Sequence, residues 1–362
     1  MSEEFVTQLR LQLREAALRE ERRSPVARRV ARARHGLPGP APMVAALAVV
    51  LLAVAVAAGT LALRGEPAPT APKLVGSYPV AAGLSSLASG FGAVWSADPV
   101  RGDVVRIDRG RPRVVARIPV GGEARVAAGA GAVWALAGDL LYAGDQGPVR
   151  LLRIDPASNR VVARIAMRGP GGQAFGPLGV QADGDAVWVV GSAGALRVDP
   201  RRNVADRFVA VKEQNRGVVG DGGSVWVLAA DGRLRRLDAA TGRTTDVVAA
   251  GAPAGTHLFA GRPGTLTLVG DGKVAVLDRG SGRRLWRTTL DGDVRSWHGD
   301  DDWLWAHASR DSARRDELVR LDAGTGRVQG RVSLPEPDAA GIATVGRDVW
   351  VATPGGRIVV VR

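Results

Sequence analysis

Gly223-Ser-Val-Trp-Val-Leu-Ala-Ala-Asp-Gly-Arg-Leu-Arg-Arg-Leu-Asp-Ala-Ala-Thr-Gly-Arg-Thr-Thr-Asp-Val-Val-Ala249 holds three short apolar-rich runs separated by turn residues. The first is the Trp phrase Gly223-Ser-Val-Trp226, the second runs Leu234 to Asp238, and the third follows the turn Ala240-Thr-Gly-Arg243. Runs of this length, bounded by Gly, Asp and Thr, are strands joined by tight turns. A further apolar run, Arg216 to Gly220, precedes the Trp phrase. The unit therefore has four strands and is about 40 residues long.

The unit recurs along the chain. The Trp phrase returns as Gly92-Ala-Val-Trp95, Gly131-Ala-Val-Trp134 and Asp185-Ala-Val-Trp188, and in weaker form as Thr265-Leu-Thr-Leu268, Asp302-Trp-Leu-Trp305 and Asp348-Val-Trp350. With Leu266 as the fifth Trp position, the spacings are 39, 54, 38, 40, 39 and 45 residues. Four strands repeated seven times, with no helical stretch of 10–15 residues between them, predict an all-β, seven-bladed β-propeller rather than a βαβ array. Each third strand but the last ends in Asp: Asp108, Asp155, Asp199, Asp238, Asp278 and Asp322. A carboxylate there accepts backbone N–H groups of the following turn, so these residues are read as turn formers and not as catalytic acids. The last repeat stops after its third strand, Arg357 to Val361. Leu74 to Val80 has the pattern of the missing outer strand, so the ring is expected to close through the N-terminal strand of residues 74–362.

The phrases Gly-Ala-Val-Trp and Leu151-Leu-Arg-Ile-Asp-Pro-Ala-Ser-Asn-Arg-Val-Val-Ala-Arg-Ile165 resemble the YVTN-type repeat propellers and the seven-bladed virginiamycin B lyase family over residues 74–362. The resemblance implies the fold, and a lyase-type enzyme as the alternative to a binding module. In the lyase family the Trp strand continues to a Thr-Glu pair. Here the residues three after the Trp position are Asp98, Ala137, Gly191, Ala229, Val269, Ala308 and Thr353, none of them Glu. Leu277-Asp-Arg-Gly-Ser-Gly-Arg-Arg-Leu-Trp286 is similar to a quinoprotein repeat but occurs once, and no cofactor is expected.

Ahead of the repeats, residues 43–63 form a run of 21 residues without charge, long enough to span a bilayer as a helix. The competing reading, a cleaved signal peptide, has a shorter apolar region close to the start of the chain, although Ala55-Val56-Ala57 mimics a cleavage site. Six arginines (Arg22, Arg23, Arg28, Arg29, Arg32 and Arg34) precede the run, and only Arg64 and Lys73 follow it before the first strand. The positive flank stays cytoplasmic, so residues 1–42 are expected inside and the propeller outside the cell membrane. Phe5, Leu9, Leu13 and Ala17 mark an amphipathic helix over residues 4–22, lying on the membrane surface or docking a cytosolic partner. Residues 64–73 are a Pro-rich, semi-rigid linker.

The net charge of +13 raises nucleic acid as a partner. The distribution speaks against it. The arginine cluster flanks the apolar run, the other basic residues are spread through the repeats, and most of the nine Trp hold a core position. With no Cys, disulfides and thiolate metal sites are excluded, and packing and ring closure must stabilise the domain.

Site candidates come from the inner strands, counted back from the Trp position. Eight residues back stand Leu87, Val126, Val180, Val218, Leu258, Trp297 and Ile342, all apolar and read as packed between blades. The columns seven and nine back are mixed and, on strand alternation, are expected to face the channel. They supply Arg125, Gln181, His257, Ser296 and His298, with Arg216 and Arg295 at the rim. Two His and three Arg suit an anionic or carboxylate ligand, the other reading being a water-filled channel lined by whatever side chains fit. No Ser-His-Asp order, phosphate loop or metal set stands out. Three functions remain open: a non-enzymatic binding or sensing module, a lyase using the channel histidines, and an envelope scaffold.

Overall fold

In the computed structural model, residues 71–138, 149–172, 176–183, 186–211, 215–253, 255–309 and 316–362 are described. The expected helix 4–22, the membrane segment 43–63 and most of the linker lie outside them. Among the described residues no helix is long and apolar enough to cross a membrane.

The strands form seven four-stranded antiparallel sheets. Six blades are continuous in sequence. The fourth, for example, runs Asn215–Asp221, Ser224–Ala229, Arg233–Asp238 and Thr244–Ala249 from the inside outward. The seventh combines Gly341–Val345, Asp348–Ala352 and Arg357–Val361 with Leu74–Pro79 as its outer strand. Tyr78 pairs with Ile358 and Ser77 with Val359. Beyond the ladder, Lys73 and Arg362 exchange backbone hydrogen bonds of 2.8 and 3.0 Å, and Arg357 donates through Nε to Ser77 Oγ at 2.9 Å. The closure expected from sequence is therefore present, and the seventh blade has no exposed edge where its third strand would otherwise stop.

Both faces of every blade are buried against neighbours. Trp134, Leu136 and Leu151 of the second blade pack with Val187, Val189 and Leu196 of the third. Ala93, Trp95 and Val104 of the first blade pack with Val126, Val133 and Ala135 of the second. The Trp residues thus point at the following blade, and their sequence neighbours point at the preceding one. Trp95, Trp134 and Trp226 are fully buried. Their size sets the blade spacing, and small residues answer them. A Cβ on Gly220 would fall onto the Trp188 ring.

Cross-strand pairing corrects one assignment. The residue opposite Phe259 in the fifth blade is Thr267, and Thr267 in turn faces Val276, two residues before the strand-ending Asp278. Thr267, not Leu266, therefore holds the Trp position. The hairpin between the inner and second strands is one residue longer here, so counting back from Leu266 still reached the right inner-strand residues.

The turn reading of the Asp residues is realised. Asp108 accepts the N–H groups of Gly110 and Arg111, both at 2.8 Å. Asp238 accepts the Thr241 hydroxyl and N–H at 2.7 Å, and Asp322 does the same with Thr325. These donors hold the carboxyls below the usual Asp range, the Thr hydroxyl leading at Asp238 and Asp322 and the Arg111 N–H at Asp108.

Two variants test this architecture by thermal or urea unfolding. Removing residues 74–79 is expected to abolish the cooperative transition of the ring, and a deletion that melts with the parent would remove the closing role of that strand. Gly220→Ala is expected to cost about 2 kcal/mol or more, because the packed Trp188 ring must shift to admit the methyl group.

Candidate functional site

The inner strands hold the sequence-derived candidates, and their geometry differs from the expectation. Residues paired across a ladder share a face. Gln181 is opposite Trp188, His298 opposite Trp305 and Ser296 opposite His307. The columns seven and nine back therefore lie on the Trp face, directed at the next blade. Alternation separates one seam from the other and does not separate seam from channel.

Several candidates are consequently struts between blades. Gln181 Oε1 accepts from Gly220 N at 3.1 Å, and its Nε2 donates to Val218 O at 3.4 Å. His298 Nε2 meets Thr344 Oγ1 of the seventh blade at 3.1 Å. Arg216 donates to Pro253 O at 2.5 Å and also to Ala230 O. Arg295 pairs with Asp338 at 2.9 Å. Ser296 Oγ is buried with no hydrogen-bond partner among the described residues. Arg125 and His257 are exposed at the starts of their strands, where no hydrogen bond or ion pair holds either among the described residues. Beside His257, Phe259 is 36% exposed, and its ring centroid lies 3.9 Å from that of Trp297. Of the candidates, Arg125 and His257 are the ones that no hydrogen bond or ion pair engages among the described residues, and Phe259 stands exposed beside His257.

Two features were missed in the sequence. The first is a clamp in the first, second and fourth blades, where an Arg two residues before the strand-ending Asp lies over the Trp of its own blade and reaches the next. Arg106 sits 5.4 Å from the Trp95 ring and donates to Pro156 O and Asn159 Oδ1, both at 2.9 Å. Arg153 sits over Trp134 and donates to Pro200 O and Asn203 Oδ1 at 2.9 and 3.0 Å. Arg236 over Trp226 reaches Gly280 O at 3.1 Å. The signal was present as the repeated Arg-apolar-Asp ending of the third strand.

The second is His307, fully buried, whose Nε2 lies 2.7 Å from Asp316 Oδ2. That same oxygen accepts the Asp338 N–H at 2.6 Å, fixing the connection from the sixth blade to the seventh. Burial lowers the His307 pKa, with the Asp316 hydrogen bond opposing, and burial likewise lowers that of His298, opposed by Asp300. Its signal was position: His307 lies two residues after Trp305, on the same strand face. No group of three or more His, Cys, Asp or Glu able to hold a metal ion occurs among the described residues.

Two outcomes follow from these bonds. Replacing both Arg125 and His257 with Ala should leave unfolding free energy within about 1 kcal/mol, whereas Arg153→Ala should cost about 2 kcal/mol, through lost stacking and unpaired acceptors. The second concerns pH. Unfolded His residues protonate near pH 6.5, while folded His298 and His307 resist, so the unfolded state binds more protons as pH falls. Stability should therefore decline from pH 8 to 5.5, and His298→Gln should make the decline shallower. Urea midpoints across that range check it, and a flat profile for the parent chain would contradict it.

Comparison with known proteins supports the fold. Residues 230–362 match the family described as outer membrane protein assembly factor BamB. A search of curated proteins finds no match to the chain. Among solved structures, the WD40 beta propeller domain of Doa1 is similar with a TM-score of 0.60 at 10% identity, over 80% of this chain and 96% of that one. The computationally designed Ika8 protein is similar with a TM-score of 0.53 at 13% identity, over 79% of this chain and 99% of that one. At these identities the likeness is one of fold: the chain carries a β-propeller whose C-terminal blades resemble the assembly-factor repeats.

Proposed function

We propose that residues 74–362 act as a non-enzymatic binding or scaffold module outside the cell membrane, tethered by residues 43–63 with the N-terminus cytoplasmic. The observation that carries the binding role is the division of labour on the inner strands. Gln181, Arg216, Arg295 and His298 hold backbone or neighbouring blades together, while Arg125, His257 and Phe259 remain exposed. A guanidinium, an imidazole and an aromatic ring suit a partner that presents a carboxylate or other anion beside an apolar group. The likeness of residues 230–362 to a family described as an assembly factor accords with a scaffold role. The alternative, a lyase acting through the channel histidines, finds one of them bonded to Thr344.

Two experiments test the proposal. Protease added to intact cells should release or digest the propeller, and protection until lysis would overturn the outside location. A photo-crosslinker at position 257 should give one dominant adduct that disappears in the Arg125→Ala chain. Equal labelling from a crosslinker at exposed Val100 would sink the binding role.

A further inference from the structure

A residue at the start of each third strand and a residue of the outer strand beside it lie on one diagonal of the ladder. In the first blade the two are Asp103 and Arg117, in the sixth Glu317 and Arg331, and in the seventh Arg357 and Ser77. All three pairs meet. Arg117 lies 3.8 Å from Asp103 and 3.2 Å from Asp98, and Arg331 lies 3.2 Å from Glu317. Arg357 Nε donates to Ser77 Oγ at 2.9 Å. The diagonal therefore brings two side-chain ends to one point, within the reach that long side chains have across a ladder.

In the second blade both ends of that diagonal are cationic. Arg150 stands opposite Ala166, and Arg164 opposite Leu152. Leu152 packs with Trp95 and Val104 of the first blade, so both arginines share the face turned to that blade. Both are exposed, and neither has a hydrogen bond or ion pair among the described residues. Between them and the turn residues Val120 and Gly121 of the first blade lies a cavity of about 190 Å³. Among the described residues no carboxylate belongs to its walls. Two guanidiniums brought together without a counter-charge repel, and the acid that answers the cation in the first and sixth blades is missing here. The fifth blade repeats the cationic pair as Lys273 and Arg287, but the cavity beside them, about 20 Å³, has room for about one water molecule.

We propose that the seam between the first and second blades binds a tetrahedral oxyanion, a phosphate or phosphoryl group, held between Arg150 and Arg164. Its charge of about −2 at neutral pH balances the two guanidiniums. Its three or more oxygens accept from two planar donor forks at once, whereas a carboxylate is satisfied by one. The bound anion takes the place that Asp103 and Glu317 hold on the same diagonal of their own blades. The site is separate from the exposed inner-strand groups Arg125, His257 and Phe259, and stands or falls independently of them.

The full chain is titrated with sodium phosphate and, in a second arm, with glycerol 3-phosphate, at constant low ionic strength, and binding is followed by calorimetry. Saturable binding is expected. Tighter binding of glycerol 3-phosphate supports a phosphoryl group carried by a larger molecule, and equal or tighter binding of phosphate supports the free ion. Arg150→Gln and Arg164→Gln should each weaken binding about tenfold, as for loss of a charge-assisted hydrogen bond. Arg202→Gln, at an exposed arginine of the third blade, should leave it unchanged. Arg150→Glu copies the pairing of the sixth blade and should abolish binding in a chain that melts no lower than the parent. No saturable binding in either arm, equal affinity for acetate, equal loss in the Arg202 variant, or binding retained by Arg150→Glu would overturn the proposal. The connection 139–148, outside the described residues, carries Asp139 and Asp145. Binding that emerges only with Asp139→Asn and Asp145→Asn would also overturn it, in favour of the chain's own carboxylate as occupant.

Discussion

The clamp between a tryptophan and an arginine of the same blade, extended by a hydrogen bond to the next blade, is the contact on which the ring depends. Trp95, Trp134 and Trp226 fill the seams with apolar volume that is wholly removed from water. Such surfaces alone would allow blades to slide or rotate, since apolar attraction has no direction. Arg106, Arg153 and Arg236 add direction. Each is held flat over its own Trp and spends its donors on acceptors of the following blade. Those acceptors are themselves fixed by the strand-ending Asp155, Asp199 and Asp278, whose carboxylates gather the turn N–H groups. A strand-ending Asp, a buried Trp and a half-buried Arg therefore form one mechanical unit, present at the seams that follow the first, second and fourth blades.

The seventh blade departs from that repeat, and much of the unusual polar chemistry gathers beside it. Arg357 binds Ser77 of the closing strand and pairs with Glu336 at 2.8 Å, and Glu336 also accepts from Thr353 at 2.8 Å. His307, Asp316 and the Asp338 N–H form a second buried network on the sixth-blade side. The connection 334–340 is thus anchored to both blades by polar bonds where other seams rely on turns. Pro72 is buried as well, and a side chain at Gly330 would collide with it, so the approach to the closing strand rests on the sixth blade. Ring closure from two distant segments demands such ties, because no covalent hairpin holds the last two strands in register.

For function, the consequence is a scaffold with few uncommitted polar groups. A propeller offers its inner strand starts as a ligand platform, but most polar side chains there serve neighbouring backbone. The groups left over, Arg125, His257 and Phe259, are recognition chemistry and do not form a nucleophile–base pair.

The amino-acid sequence by itself determined the repeat, the number of blades, the Asp-anchored turns and the closing strand, because each is a local pattern of turn residues and apolar alternation with the periodicity of a strand. The Arg before most of the Ile-Asp and Leu-Asp endings was equally visible, yet its role was not, since the acceptor lies in the next blade, 44 to 53 residues away. Tertiary structure alone decided which inner-strand residues are available. Alternation along a strand states that neighbouring side chains point opposite ways, but in a blade both directions lead into a seam. Gln181 and His298 were therefore placed by parity on a channel wall and found bonded to the next blade, while Arg125 and His257, near the starts of their strands, stay exposed. The buried His307 escaped notice for the same reason: its partner Asp316 stands on the neighbouring strand, and only the folded ladder brings the two within 2.7 Å.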